Sequence, residues 1–179
     1  HDIKALEYLI KEKFNEIGLK HFETFIHFGI TSQDINTSAN ILSFKNALYF
    51  YIIPSIKNIV NSLDLFTSNC KDDIMLGYTH GQPAVPTTMQ KELLVFCYRI
   101  NAQLRIFENM EFTTKFGGAV GNLNAHYAAY PNIDWVSFSN NFIESLGLKR
   151  EQYTTQISNY DNLCNILNEV KTINNIIND

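Results

Sequence analysis

The chain has 179 residues, 45% of them hydrophobic, which is enough for one globular unit with a sizeable core. Its formal net charge of −4 supplies no basic field for nucleic acid or an anionic membrane surface, and no apolar run approaches the roughly 20 residues of a membrane-spanning helix. Three widely spaced cysteines without a CxxC pair argue against a disulfide framework or a zinc site, so we expect a reducing, cytoplasmic setting.

Two helical segments are predicted in the N-terminal part. Apolar residues recur at helical spacing from Ile3 to Phe14 and predict a helix that Gly18 ends. A hydroxyl residue followed by an acidic residue in Thr31-Ser32-Gln33-Asp34 predicts the start of a second helix. Its 3.6-residue rhythm continues past Pro54 to Phe66, which predicts either one very long helix kinked at the proline or two helices in series.

The helical pattern is interrupted between Lys71 and Pro86. Two glycines and two prolines in this segment predict a loop, and the loop displays Thr79 and His80. Thr87 or Thr88 then caps a third helix, whose apolar stripe continues to about Phe112.

Residues 117–131 form a second irregular segment, rich in glycine at its start. Asp134 is predicted to start the next helix and Gly147 to stop it. The predicted buried side of this helix consists of Trp135, Phe138, Phe142 and Leu146, the three aromatic residues being assigned to the core. A last helix is predicted from Asp161 toward the end of the chain.

The predicted fold class is therefore all-α, with long antiparallel helices linked by polar loops. No segment shows a convincing strand alternation, and the chain has no internal repeat. Several predicted helices are longer than a lone small domain can cover. We expect their apolar faces to pack against other copies of the chain in a homo-oligomer built on a helical bundle.

Several common chemistries have no support in the sequence. None of the five histidines lies in an i, i+4 pair or in a carboxylate cluster with metal-ligand spacing, so no metal site is predicted. The chain has neither a GxSxG elbow nor a GxxxxGK[ST] phosphate loop. The GGAVGN segment at Gly117 follows no predicted strand, which makes a dinucleotide site a weak interpretation.

Polar clusters lie instead in loops or at helix starts. They are His1-Asp2, Thr31 to Asp34, Thr79 to Gln82, Asn122 to His126, and Thr154 to Gln156. Hydroxyl groups and free backbone N–H groups at a helix start suit a carboxylate or a phosphate. A histidine on a braced loop suits a general acid, because its pKa lies near working pH. Together the clusters predict a site for a polyanionic small molecule that undergoes proton transfer.

Each cluster also has a plainer interpretation. The Thr31–Ser32 pair can serve only as a helix cap, and His80 can serve only to hydrogen-bond its turn. His1 can be the remnant of a purification tag. Gln156 can be a solvated loop residue, and His126 a partly buried histidine whose partners are backbone groups.

Five segments in order carry a resemblance to adenylosuccinate lyases: HDIKALEY, HFGITSQDIN, GYTHGQPAVPTT, GGAVGNLNAHYAAYP and YTTQISNYD, from His1 to about Asp161. The THGQPAVPTT segment alone is typical of the wider fumarase/aspartase superfamily. The HD opening and the GNLNAHYAAYP segment resemble the bacterial-type adenylosuccinate lyase branch. The resemblance implies the central helical bundle of that superfamily.

The resemblance also implies an activity. Adenylosuccinate lyases carry out a β-elimination that releases fumarate from adenylosuccinate, giving AMP, and from SAICAR, giving AICAR, in purine nucleotide biosynthesis. They are cytoplasmic homotetramers whose active sites are assembled from several subunits, and the partner expected for this chain is a succinyl-purine nucleotide. The reaction calls for no metal or organic cofactor.

Two histidines have implied catalytic roles. His80, in the THGQP segment, matches the family's general acid, which protonates the nitrogen that leaves as the C–N bond breaks. His1 matches the second active-site histidine. Its neighbour Asp2 matches a residue that positions the acid and the substrate.

The implied substrate-binding residues lie in three other places. Thr31 and Ser32 match residues that bind the succinyl carboxylates, Gln156 matches a substrate-binding glutamine, and Thr79 lines the site beside the general acid. The chemistry is coherent. Removing the proton next to a carboxylate builds an aci-carboxylate, which needs fixed donors, while the departing amine needs an acid.

The family's catalytic base is a serine on a loop of the form SSxMPxKxNP, and this motif is absent from the 179 residues. We therefore expect residues 1–179 to be a fragment of the central domain, without the N-terminal arm, the signature loop and the C-terminal domain, and with a partial, inactive site. Two alternatives remain open. One is another superfamily lyase, argininosuccinate lyase or fumarase, and the other is a non-catalytic helical oligomerisation module.

Overall fold

The structure is a computed structural model that describes the backbone of residues 2–179 and the side chains from Lys4 onward. The catalytic assignment of His1 and the side-chain assignment of Asp2 lie outside the described residues. The chain divides into two compact units. Unit 1 comprises the chain up to Ser43 together with Glu111–Tyr160, and unit 2 comprises Phe44–Met110 together with Asp161–Asp179.

Helices hold most of the described residues, which confirms the all-α class. In chain order they are α1 (Asp2–Glu16), α2 (Ser32–Ala47), α3 (Ile53–Asn69), α4 (Met89–Phe107), α5 (Asn124–Ala129), α6 (Trp135–Ser145) and α7 (Asp161–Asn178). A 3-10 helix (Lys20–Phe25) follows α1, and a π-helical turn (Leu48–Ile52) precedes α3. The short strands are β1 (Ile74–Thr79), β2 (Gln82–Thr88), β3 (Thr113–Thr114) and β4 (Lys149–Arg150).

Unit 2 is built on α3, α4 and α7. The hydroxyl of Tyr49, just before α3, donates to the carbonyl oxygen of Phe107 at the end of α4 (3.5 Å), while the opposite ends of the two helices are joined by β1 and β2, so α3 and α4 are antiparallel. Helix α7 packs against α4. Within each helix the buried residues recur every three, four or seven positions, as one-sided helix burial requires: Ile53, Ile56, Val60, Cys97, Ile100, Leu104, Ile166, Ile173 and Ile176.

The predicted helix across Pro54 is two helices in series without an intervening loop. The N–H of Ile53 donates to the carbonyl of Leu48, five residues earlier, so the helix passes through a π turn at this point. Pro54 follows directly, near the start of α3, where a residue without an N–H group is tolerated. The π turn therefore lets the helical path continue where an uninterrupted α-helix would clash with the proline.

The prediction of a loop between Lys71 and Pro86 is wrong, because β1 and β2 form an antiparallel hairpin there. Thr79 pairs with Gln82, which leaves His80 and Gly81 as the two turn residues. Both have positive φ, 51° and 71°, as a type I′ hairpin turn requires. Prolines in β2 and a register irregularity in β1 hid the strands from pattern analysis.

Helix α6 begins and ends as predicted. The carboxylate of Asp134 accepts a hydrogen bond from the N–H of Ser137 (3.0 Å) and so caps the helix. At the other end the N–H of Gly147, with φ of 72°, donates to the carbonyl of Glu144 (2.8 Å). A glycine in the left-handed conformation is a common helix stop, since it has no Cβ to strain.

The predicted buried side of α6 is wrong in part. Trp135 is buried, but Ser139 and Ile143 are the other buried residues of the helix. Phe138 and Phe142 are 49% and 40% exposed and line an open cavity of unit 1. The buried stripe is rotated relative to the aromatic one. Ser139 can lie on the buried side because its hydroxyl donates to the carbonyl of Trp135 (2.6 Å). Within the described residues, no helix has both the length and the apolar character needed to cross a bilayer.

Candidate active site

The start of α2 in unit 1 presents the Thr31 and Ser32 hydroxyls. The N–H of Thr31 donates to Oδ2 of Asp34 (2.7 Å), so the helix start is held by a carboxylate rather than by a hydroxyl cap. Both side chains are half-buried, and neither hydroxyl has a hydrogen-bond partner among the described backbone atoms and the side chains from Lys4 onward. Two unused hydroxyls at a helix N-terminus suit an anionic group.

A buried ion pair lies directly behind this helix start. Oδ1 of Asp34 is 2.7 Å from Nζ of Lys115, and both side chains are fully buried. The carboxylate also accepts hydrogen bonds from the N–H groups of Gly117 (2.9 Å) and Gly118 (3.1 Å), and Nζ of Lys115 donates to the carbonyl of Gly118. Buried charges are tolerated only when they are paired and hydrogen-bonded. This cluster therefore fixes the start of α2 to residues 117–121, the glycine-rich loop.

The glycine-rich loop in turn touches the segment that carries Gln156. Gly121 has a φ of 85°, and a Cβ on it would lie 2.2 Å from the carbonyl oxygen of Thr154. Only glycine permits this close approach in this conformation. Two of the polar clusters predicted from the sequence therefore belong to segments in mutual contact: Asn122 to His126, which enters helix α5 and is not wholly irregular as predicted, and Thr154 to Gln156.

Glu151 holds the loop that carries Gln156. Its carboxylate accepts hydrogen bonds from the hydroxyl of Ser158 (2.7 Å), from the hydroxyl of Thr113 (3.0 Å) and from the N–H of Asn159 (3.3 Å). At the end of the loop the Tyr160 hydroxyl donates to the side-chain oxygen of Gln33, next to Ser32 (3.3 Å). Gln156 itself is exposed.

Unit 1 thus brings together the segments of three predicted binding residues, Thr31, Ser32 and Gln156. The sequence analysis missed the residues that hold these segments, namely Asp34 as an ion-pair partner, Lys115 and Glu151. The available signal for Lys115 was its position between Thr114 and Phe116, just before two glycines. A lysine in such uncharged surroundings, if buried, needs a charged partner elsewhere in the chain.

Unit 2 carries the other predicted pair, Thr79 and His80. Both are exposed on the β1–β2 hairpin, and His80 occupies its turn. A cavity of about 360 Å³ beside the hairpin is lined by Thr79, together with Lys91 and Glu92 at the start of α4. The imidazole of His80 is thus presented on a turn whose backbone is tightly specified.

His126 is the buried histidine of unit 1. It is 2% exposed, and its Nδ1 has no hydrogen-bond partner among the described residues, which differs from the expected partly buried histidine satisfied by backbone. The rings of Phe28, Phe116 and Trp135 surround it, with centroids 4.9 to 6.2 Å away. It lines an open apolar cavity of about 510 Å³.

The buried imidazole makes the stability of the protein depend on pH. Burial lowers the pKa of His126 in the folded protein, and the charge of Asp34 opposes this only in part. The unfolded chain therefore binds this proton more readily than the folded protein does. The contribution of His126 to stability is constant above about pH 6.5 and falls as pH drops below that value. In His126→Phe, urea unfolding between pH 7.5 and 5 should show a weaker fall than in the wild type. Equal slopes in the two proteins would contradict this account.

Metal ions in proteins are held by clusters of histidine, cysteine and carboxylate side chains, and the described part of the chain has residues of all these types. No group of three or more histidine, cysteine, aspartate or glutamate residues is placed to hold a metal ion in that part of the chain. The three cysteines are free thiols, and burial raises the pKa of Cys70 and Cys97. These two thiols are therefore poor nucleophiles.

The family model described as "Lyase" matches the chain over residues 1–179. Among curated proteins, the chain is 49% identical to an adenylosuccinate lyase of Dictyostelium discoideum, 46% to that of Legionella pneumophila (strain Corby) and 41% to that of Escherichia coli (strain K12). Each match covers 100% of this chain, and the chain spans about 40% of the length of these relatives.

A solved structure has a similar fold. The 3-carboxy-cis,cis-muconate lactonizing enzyme of Pseudomonas putida superposes with a TM-score of 0.75 over 95% of this chain and 36% of that enzyme. Sequence identity is 22%, so this likeness concerns the fold alone.

Proposed function

Since the chain belongs to the lyase family, we propose that it is the central helical part of an adenylosuccinate lyase of the fumarase/aspartase superfamily. The reaction is the release of fumarate from adenylosuccinate, giving AMP, and from SAICAR, giving AICAR. The observation that carries this proposal is the identity of 41–49% to adenylosuccinate lyases along the whole chain.

The carboxylate end of the substrate is assigned to unit 1. The hydroxyls of Thr31 and Ser32, at the N-terminus of α2, bind the succinyl carboxylates, and Gln156 contributes an amide. Support comes from the two unused hydroxyls and from the loops that join these segments. As the proton next to a carboxylate leaves, charge builds on that carboxylate, and donors fixed in advance stabilise it more than mobile water does.

The leaving-group end is assigned to the hairpin of unit 2. A base takes a proton from carbon. The electron pair of that C–H bond forms the C=C bond of fumarate, and the electron pair of the C–N bond leaves with the nitrogen. His80, as the general acid, gives a proton to that nitrogen, with Thr79 lining the site beside it. The turn geometry supports this role, because it presents the ring at the exposed tip of the hairpin.

Two further parts of the site are assigned from the resemblance. His1 and Asp2 position the acid and the substrate. The base is a serine on a signature loop, a motif that these 179 residues do not contain. We assign the complete active site to a cytoplasmic homotetramer in which more than one copy of the chain contributes residues.

Exposed apolar side chains support this self-association. In unit 2 they include Leu65, Phe66, Val95, Tyr98 and Leu167, each 43% to 72% exposed. Apolar residues repeated along long helices are typical of a bundle shared between subunits. Sedimentation of the 179-residue chain measures its association directly, and a monomer at micromolar concentration would count against this part of the proposal.

The preference among three candidate substrates tests the function. The full-length protein, incubated separately with adenylosuccinate, argininosuccinate and malate, is assayed for fumarate by absorbance. Adenylosuccinate should give the highest kcat/KM by at least about a hundredfold, the scale set by a site that pairs polar groups of one substrate. A preference for argininosuccinate or malate would identify another superfamily lyase, and no fumarate from any of them would favour the non-catalytic module.

A further inference from the structure

The carboxylate of Asp34 joins the substrate-binding helix start to the rest of unit 1. We propose that Asp34 is a positioning residue, which acts through Thr31 to hold the carboxylate-binding end of α2 in place, with Lys115 as its charge-balancing partner. This inference rests on the proposed function of Thr31 and Ser32.

The two oxygens of the carboxylate have different tasks. Oδ2 accepts the N–H of Thr31 (2.7 Å) and the N–H of Gly118 (3.1 Å), so it links the two segments. Oδ1 accepts the N–H of Gly117 (2.9 Å) and meets the ammonium group of Lys115 (2.7 Å). A backbone N–H held on a fully buried oxygen leaves little freedom to the residue that bears it. Asp34 thus fixes the backbone position from which the Thr31 side chain extends.

The ion pair also prevents charge repulsion between Asp34 and the proposed substrate. A lone carboxylate two residues behind Ser32 would repel the substrate's own carboxylates, and in a buried setting this repulsion is only weakly screened. Lys115, fully buried at 2.7 Å, cancels the charge of Asp34. The site therefore obtains a strong hydrogen-bond acceptor for Thr31 without a net negative charge beside the ligand.

The test replaces the pair by neutral amides. In the full-length protein, Asp34→Asn/Lys115→Gln keeps an acceptor for the N–H of Gly117 and leaves no unpaired charge. The NH₂ group of the asparagine, however, cannot accept the N–H of Thr31. We expect the KM for adenylosuccinate to rise by about tenfold or more, the loss that follows when one contact to a charged group is weakened.

KM separates positioning from mere stability. Partial unfolding lowers the concentration of active enzyme and so the apparent kcat, but it leaves KM unchanged. A lower kcat at unchanged KM would therefore overturn the proposal. Where the neutral pair yields no active enzyme, Asp34→Glu keeps the charge and displaces the carboxylate by one methylene, and it should raise KM in the same way.

Asp134→Asn is the matched control, because Asp134 also accepts a backbone N–H at a helix start of unit 1, that of Ser137 (3.0 Å). It should leave KM unchanged. In a Thr31→Val background, the Asp34→Asn/Lys115→Gln change should raise KM by a smaller factor than in the wild type, since coupled residues are not additive. Equal factors in the two backgrounds would refute action through Thr31. If the wild-type protein releases no fumarate from adenylosuccinate, the proposed function fails instead.

Discussion

His80→Asn in the full-length protein is expected to lower kcat for fumarate release from adenylosuccinate by about 10²–10⁴-fold, the contribution of a general acid. The asparagine has no imidazole and cannot serve as the proton donor. It keeps the turn, because His80 has a φ of 51° and asparagine followed by Gly81 is the favoured pair in a type I′ hairpin. The release of fumarate, followed by absorbance at saturating substrate, measures the effect.

Two companion variants make this result interpretable. His80→Ala also removes the acid, but it places an alanine in a left-handed conformation, so any loss beyond that of the asparagine variant reports the turn and not the acid. His21→Asn changes an exposed histidine of the 3-10 helix and should leave turnover as it is. Near-normal turnover in His80→Asn would remove the assignment of the general acid.

Lys115→Met is expected to lower the free energy of unfolding by about 3–5 kcal/mol. The methionine fills a similar space, but it leaves the buried carboxylate of Asp34 with backbone N–H donors and no counter-charge. A charge stranded in this way costs more than the ion pair itself contributes, because desolvation is no longer compensated. Urea unfolding, monitored by circular dichroism, measures the difference.

An exposed ion pair in the same unit serves as the control. Lys149 and Glu111 are as close as the buried pair, 2.7 Å, but both are more than half exposed. Lys149→Met should therefore change stability by less than about 1 kcal/mol. Adding Asp34→Asn to Lys115→Met should recover part of the loss, since no bare charge is then buried. A loss below about 1 kcal/mol in Lys115→Met would mean that water or another group compensates the carboxylate.

The helix ends that were predicted correctly are those determined by residues close to them in the sequence. Helix α7 begins at Asp161 as expected, and the ends of α6 at Asp134 and Gly147 follow from cap chemistry within four residues. The hairpin was missed because both strands are mostly exposed and β2 contains two prolines, so no sustained alternation of apolar and polar residues marks them. On α6, Ser139 is buried and Phe138 is exposed, the reverse of what hydrophobicity alone predicts. The hydroxyl of Ser139 is paired within its own helix, so its burial leaves no polar group without a partner.

The residues of the candidate site also fall into two groups, those that local motifs identify and those that depend on long-range contacts. The residues proposed to touch the substrate, such as Thr31 and Gln156, stand in recognisable motifs. The residues that hold them are paired over long sequence separations: Asp34 meets Lys115 and Gly117 more than 80 positions away. Such pairs are set by tertiary packing and produce no periodic pattern in the sequence. A buried lysine is also unexpected, because lysine is usually exposed.

The π turn at Leu48–Ile52 has an implication for how the chain can vary in length. A π turn in a helix behaves as a single inserted residue, whose extra length is absorbed locally while the faces on either side keep their directions. Related chains that are one residue shorter in this stretch, and that have no proline at the position of Pro54, can therefore run as plain α-helix there and still present the same faces. A one-residue insertion or deletion is thus tolerated here, whereas in the middle of α4 it would rotate every residue after it.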